Sequence, residues 1–231
     1  MSPANQKFAL WVQSAAGYSP NLMPALRSVL LRAGAVKERA LRRLMPSRMN
    51  VVPYSWPLLK EECPCDVHFC DYLREHSIAN SAIFHFGSGG HHLVGLRNRE
   101  DALDNEILAI TASPREHARY VRLLIRDSSL GKHYRVLFAD IYDLSGRSLP
   151  EFDVITLFHL CEFSPTVEQH RRMDDAGVLD LFLSKLTPRG RLLFYGESFG
   201  RARTRLITER AVADGKMSFE EQYQSLLIYR V

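Results

Sequence analysis

The sequence predicts an α/β chain built on a mostly parallel sheet with helices on both faces. Three observations carry that prediction. From about residue 81, short apolar runs alternate with amphipathic stretches of helical length. The first run leads into a glycine turn, IFHFGSGG, and in such a sheet ligands bind beyond the carboxyl ends of the strands. The last two runs, KMSFEEQ and SLLIYRV, have only Tyr223 and Gln224 between them, which predicts a closing antiparallel hairpin.

Each element has its own signal. AIFHFG is the first strand and HHLVGLRNRE its helix. EILAIT is the second strand. The helix after it, SPREHARYVRLLIRD, has Ser113 to cap it, Pro114 at its first position and Glu116 three residues past the cap, the pattern of a capping box. YRVLFAD and FDVITLFHL are the third and fourth strands. A helix over DAGVLDLFLSKL leads through a TPRG turn to the fifth strand, RLLFYGE. With the hairpin, this makes seven strands, the last of them antiparallel.

The chain up to about residue 65 has a different texture. It is basic, and Pro46, Pro53, Pro57 and Pro64 punctuate its second half. Between residues 25 and 48, Arg27, Arg32, Lys37, Arg39, Arg42, Arg43 and Arg48 face Glu38 alone. Leu26, Leu30, Ala33, Ala40 and Leu44 fall on one helical stripe. Residues 1–65 therefore read as a basic helical extension or lid, and residues 66–231 as the sheet domain. The extension is a docked helix with a solvated basic face, a homodimer interface, a lid over an anionic substrate, or a membrane-surface element.

Composition narrows the function classes. The chain has 231 residues, 46% of them hydrophobic, enough for a sizeable core. No run of eighteen apolar residues exists, so stable membrane insertion is not expected. The N-terminus lacks the pattern of a cleavable signal. Cys63, Cys65 and Cys70 crowd together while Cys161 stands far away, which is no disulfide framework and suits a reducing cytoplasm. A net charge of +4 is too mild to argue for nucleic acid.

The glycine turn excludes two common ligand sites. The dinucleotide fingerprint needs glycine at position 92, where His92 stands, and the Gly-Lys-Ser/Thr of a phosphate loop is absent. His91, His92 and His159 do not make a convincing metal set, because adjacent helical histidines face apart. CPCDVHFC holds Cys63, Cys65, His68 and Cys70 in spacing too tight for paired zinc knuckles, so Cys70 and Val67 read as helix packing and no metal site is expected.

Taken in order, the motifs from residue 81 to 231 resemble those of the class I S-adenosylmethionine-dependent methyltransferases. IFHFGSGG is similar to the family's glycine motif, ILAITASPREHARYVRLL to its second strand and helix, and VLFADIYDL to its adenine-side motif. FDVITLFHL resembles the fourth strand, LSKLTPRGRLLFYGES the turn and fifth strand, and the hairpin the last two strands. The resemblance implies a Rossmann-like sheet and S-adenosylmethionine as cofactor. It implies that Gly87, Ser88 and Gly89 flank the methionine part, with His85 before them as a further cofactor contact or, lying in an apolar strand, a core histidine. It also implies that Thr111 and Ala112 lie near the ribose, that Asp140 accepts from the adenine amine with Ile141 nearby, and that His159 faces the methyl group or substrate. Asp153 is read as opening strand four and not as a ligand contact.

Two positions depart from the family. Where members usually carry an acid before the first glycine, this chain has His85, and where an acid usually ends strand two and grips the ribose, it has Thr111. Loss of a ribose clamp is worth roughly one to two kcal/mol. On that reading, Thr111→Asp is expected to tighten cofactor binding. The departures leave open a non-catalytic methyltransferase-fold binding protein. Thr111, Ser113 and Arg115 also leave open an NADP-binding oxidoreductase.

The leading expectation is methyl transfer to oxygen or carbon of a small-molecule or glycan acceptor, since no amino-methylation motif of the N/D-P-P-Y type is present. His159 is the first candidate base because an imidazole titrates near neutrality. Glu162 and Glu197, each just past a strand end, are the others.

Overall fold

The structure, a computed structural model, describes residues 51–163 and 173–231 except Pro53. The basic segment and its stripe lie outside the described residues. The chain divides into two units, 1–47 and 48–231, and every described residue belongs to the second.

The described chain runs α1 (Cys65–Glu75), β1 (Ala82–Phe86), α2 (Leu93–Glu100), β2 (Glu106–Thr111), α3 (Pro114–Arg126) and β3 (Tyr134–Phe138). It continues with β4 (Phe152–Thr156), α4 (Asp175–Leu183), β5 (Leu186–Tyr195), α5 (Arg201–Ala213), β6 (Ser218–Tyr223) and β7 (Leu226–Arg230). The strands form one seven-stranded sheet in the order β3-β2-β1-β4-β5-β7-β6. Pairings from β3 to β5 are parallel, and β7 is antiparallel to both β5 and β6. The expected seven-stranded, doubly wound architecture is the observed one.

Strand alternation builds two cores. Ile83, Ile107, Ala109, Val136, Val154 and Leu193 face α1 and α3, packing on Phe69, Tyr72 and Tyr120. Phe84, Ile110, Ile155, Leu192 and Phe194 face α4 and α5, packing on Phe182 and Ala211. Both faces of the central strands are therefore dry, which is why they read as near-continuous apolar runs. Truncating one of the largest buried side chains, such as Phe84 with 0% exposure, costs about 3–5 kcal/mol.

Several boundaries differ from expectation. TPRG is not a turn before β5 but lies inside it. The ladder pairs Phe152 with Leu186, then slips so that Val154 pairs with Arg191, and the intervening residues form a bulge. The hairpin loop is Gln224–Ser225, one residue later than the spacing implied, with Gln224 in the left-handed region. Strand β4 stops at Thr156, and LFHL belongs to the turn beyond it. Helix α5 was not anticipated at all.

Candidate active site

Strand order reverses between β1 and β4, and a cavity of about 350 Å³ opens there, beyond the carboxyl ends of β1, β2 and β4. Its lining includes Glu62, Asp66, Glu116, Asp140, Glu162 and Glu197, together with His91 and His159, and no lysine or arginine among the described residues. The volume suits a small molecule, and the carboxylates suit a ligand that carries positive charge or hydroxyl donors.

The glycine turn forms the floor. Gly87 has φ +94° and Gly89 φ +54°, conformations that a Cβ disfavours. A Cβ at Gly87 would also lie 3.1 Å from Cδ2 of His159, so the turn and that imidazole are built against each other. Ser88 is buried, and its hydroxyl has no hydrogen-bond partner among the described residues.

His159 sits in the turn after β4. Its Nδ1 lies 3.1 Å from Glu162 Oε2, while Glu162 Oε1 accepts from the Phe199 backbone N–H at 3.2 Å. Glu162 is thus fixed from two sides. Burial would push the His159 imidazolium down, but the Glu162 carboxylate, helped by the negative charge of Cys63 and Asp66, raises the pKa above its ordinary value. Glu197 also lines the cavity but is exposed at its rim.

At the end of β2, the Thr111 hydroxyl donates to Glu116 Oε2 at 2.6 Å and accepts the Ser113 N–H at 3.0 Å. The second Glu116 oxygen accepts from Trp56 N–H at 2.9 Å. Ser113 caps α3 through Glu116 N–H as expected, but the reciprocal half of the capping box is missing. Thr111 has taken the Ser113 N–H, so the Glu116 carboxylate turns to the cavity edge. Burial raises its pKa, against the two donors that favour the charged form. An acid therefore stands beside the strand-two position after all, supplied by the helix.

A parallel replacement surrounds His85, which does not line the cavity. Its ring is buried, stacks on Phe69 and bonds Thr156 Oγ1 through Nδ1 at 2.8 Å. Its Nε2 lies 3.5 Å from Oδ1 of buried Asp66, whose other oxygen lies 3.7 Å from His91 Nε2. Burial would raise the Asp66 carboxyl, yet the neighbouring imidazoles of His85, then His91, hold it below the usual range. Asp66 lines the cavity from α1, so a carboxylate again stands next to a strand residue that lacks one.

Ala112, Asp140 and Ile141 line the same cavity as Gly87, Gly89 and Thr111. Asp140 is buried, and its Oδ1 accepts the Tyr142 N–H at 3.2 Å. Ser88 and His85 lie behind the lining. Asp153 holds strand ends together, accepting from Ala82 N–H and the Thr187 hydroxyl. His92 faces away from the cavity, between Tyr134 and the Glu116 carbonyl, whereas His91 lines it. Arg115 lies elsewhere, on a separate surface depression.

In the sequence Glu116 reads only as a cap residue, and Asp66 carries no signal of its own. CPCDVHFC sets Cys63 and Cys65 beside His68 and Cys70. In space their partner is His159: one donor atom from each of Cys63, Cys65 and His159 lies within 4.8 Å of the others. The Cys65 thiol bonds the Cys63 sulfur, which outweighs burial and lowers the Cys63 pKa to about 7, while Cys65 is raised.

No family model matches the chain, and no curated protein matches it in sequence. Solved structures do match. A methyltransferase, CcbJ from Streptomyces caelestis, superposes with a TM-score of 0.53 at 10% identity, over 76% of this chain and 93% of that one. The SAH-bound methyltransferase PaMTH1 of Podospora anserina gives 0.50 at 12% identity, over 100% and 97%. Precorrin 8w decarboxylase from Methanobacterium thermoautotrophicum gives 0.50 at 14%, over 80% and 97%. At these identities the likeness speaks for architecture. Together with the β3-β2-β1-β4-β5-β7-β6 sheet and its antiparallel β7, it establishes that this chain has the Rossmann-like fold of the class I S-adenosylmethionine-dependent methyltransferases.

Proposed function

We propose that the chain is an S-adenosylmethionine-dependent methyltransferase acting on oxygen or carbon of a small-molecule or glycan acceptor. The observation that carries this reading is the cavity itself. It lies at the sheet's switch point against the glycine turn, with carboxylates and no lysine or arginine among its described lining residues. Such a lining suits a sulfonium and ribose hydroxyls, and opposes a nucleotide carrying several phosphates. It also favours a neutral or cationic acceptor over an anionic one. The NADP reading is further disfavoured by Glu116, which would repel a 2′-phosphate.

The bound cofactor would supply a methyl group on a positively charged sulfur, open to in-line attack. The protein's share is placement, which contributes about 7–11 kcal/mol in well-oriented systems. Gly87 and Gly89 let the backbone approach the methionine end. Glu116 would accept from the ribose and Asp140 from the adenine amine, and Ile141 would pack on the base. An acceptor hydroxyl would pass its proton to His159, and Glu162 would stabilise the imidazolium that results. The departures at His85 and Thr111 that suggested a non-catalytic descendant are balanced by Asp66 and Glu116. The four free cysteines suit the reducing cytoplasm, and among the described residues no helix is long and apolar enough to cross a membrane.

The test is calorimetric titration of the full chain with S-adenosylhomocysteine. Binding at micromolar to sub-millimolar ligand, weakened by Glu116→Gln, supports the reading. No heat of binding at millimolar ligand overturns it.

A further inference from the structure

We propose that Cys63, Cys65 and His159 form a zinc site on the cavity wall, with one coordination position open to the cavity. The three donors come from the loop before α1, the first residue of α1 and the turn after β4, and converge within 4.8 Å. The two sulfurs are 3.6 Å apart. Two thiolates on one tetrahedral zinc, each at about 2.3 Å, stand roughly 3.8 Å apart, so the pair needs little movement to close on an ion.

The third donor is already oriented. Glu162 engages His159 Nδ1 at 3.1 Å, which leaves Nε2 for an ion, and Glu162 is itself held by the Phe199 N–H. A carboxylate behind a ligating imidazole fixes its tautomer and ring orientation. Two cysteines and one histidine are a zinc-type donor set, and three protein ligands with an open fourth position distinguish reactive from structural zinc sites. All three residues line the cavity, so the open position faces into it. An ion and a proton compete for His159 Nε2, so the role of that imidazole as a base, on which the proposed mechanism rests, belongs to the zinc-free chain and is switched off by zinc loading.

The experiment is a chelator-competition titration of the reduced full chain with zinc alone, alongside cobalt substitution read by absorption. One equivalent should bind, and cobalt should give a thiolate charge-transfer band with the visible bands of a tetrahedral site. Cys63→Ser, Cys65→Ser and His159→Gln should each weaken zinc more than tenfold, and Glu162→Gln by about 10–100-fold. Cys70→Ala and Cys161→Ala should leave it within about twofold, well short of the roughly tenfold that 1.4 kcal/mol represents. Circular dichroism and cooperative unfolding identify the variants that keep the fold. The proposal is overturned if the folded wild-type chain takes up no zinc at micromolar free ion, or if binding persists in folded Cys63→Ser and His159→Gln. Titration of the same sample with S-adenosylhomocysteine separates the two readings, since either ligand can bind without the other.

Discussion

The Thr111 hydroxyl donates to the Glu116 carboxylate at 2.6 Å, and this one bond moves an acid from the tip of a strand to the first turn of a helix. The Thr111 proton is committed to Glu116 and one of its two lone pairs receives the Ser113 N–H, so it has no donor and at most one acceptor position to offer a ligand. The expectation that Thr111→Asp would restore a clamp is therefore reversed. An aspartate there would confront Glu116 at hydrogen-bond distance, and like charges so close cannot both ionise comfortably. Thr111→Asp should weaken S-adenosylhomocysteine about tenfold, and Glu116→Gln by a similar factor, as loss of a charge-assisted bond implies. Calorimetry on both variants checks this, and a tighter Thr111→Asp would show that Glu116 is not the ribose partner.

Gly87→Ala tests the contact between the turn and the imidazole. The new methyl must adopt φ +94° and approach His159 Cδ2 to 3.1 Å. The backbone strain is worth about 1–3 kcal/mol, and the ring must tilt away from Glu162. Methyl transfer should fall by at least an order of magnitude while the protein still unfolds cooperatively. Unchanged turnover would place the reacting atoms elsewhere.

Asp140→Asn keeps an oxygen for the Tyr142 N–H but removes the charge. Cofactor affinity should drop by roughly three- to tenfold, in the range of a charge-assisted bond becoming a neutral one. Stability should change little. Full affinity in the variant would mean that the adenine lies against another part of the cavity.

His92 supplies a pH dependence. The Glu116 carbonyl can only accept, so Nε2 carries the proton, and Nδ1 then accepts from the Tyr134 hydroxyl at 3.0 Å. Burial lowers this pKa from 6.5 to about 4. Between those values the unfolded chain takes up a proton that the folded chain refuses, so stability falls as pH falls. The loss is on the order of 3 kcal/mol across the window. Burial shifts His91 in the same direction, whereas His159 is shifted upward and acts above pH 6.5. Urea midpoints at pH 7 and pH 4.5 should differ less in His92→Gln than in wild type. An equal difference would assign the pH dependence to other groups.

The strands and α3 were legible because their signals are local: apolar runs for β1 to β5, and Ser113-Pro114 for the helix start. Helix α5 was not, because it buries Thr204, Thr208 and Ala211 while exposing Leu206 and Val212. Its inner face is small and polar, so no apolar stripe marks it. The cavity positions Gly87, Gly89, Thr111, Ala112, Asp140 and Ile141 followed from motif order. Asp66 and Glu116 did not, since each reaches its strand neighbour across a turn of the fold and not along the sequence. The same holds for Cys63 and Cys65, which meet His159 only once β4 pairs with β1.

The exchange of strand acids for helix acids also constrains how such a site can change. Each pair, Thr111 with Glu116 and His85 with Asp66, has one member that must be neutral or basic because the other is anionic. Restoring an acid on the strand alone sets two carboxylates against each other, and removing the helix acid alone leaves none. Where Glu116 and Asp66 hold the ligand as proposed, either single step should lower its affinity, so the two substitutions of a pair must arrive together, and each pair acts as a lock across a valley in affinity. A double-mutant cycle on Thr111→Asp and Glu116→Gln would measure the depth of one of them as the coupling energy between the two positions.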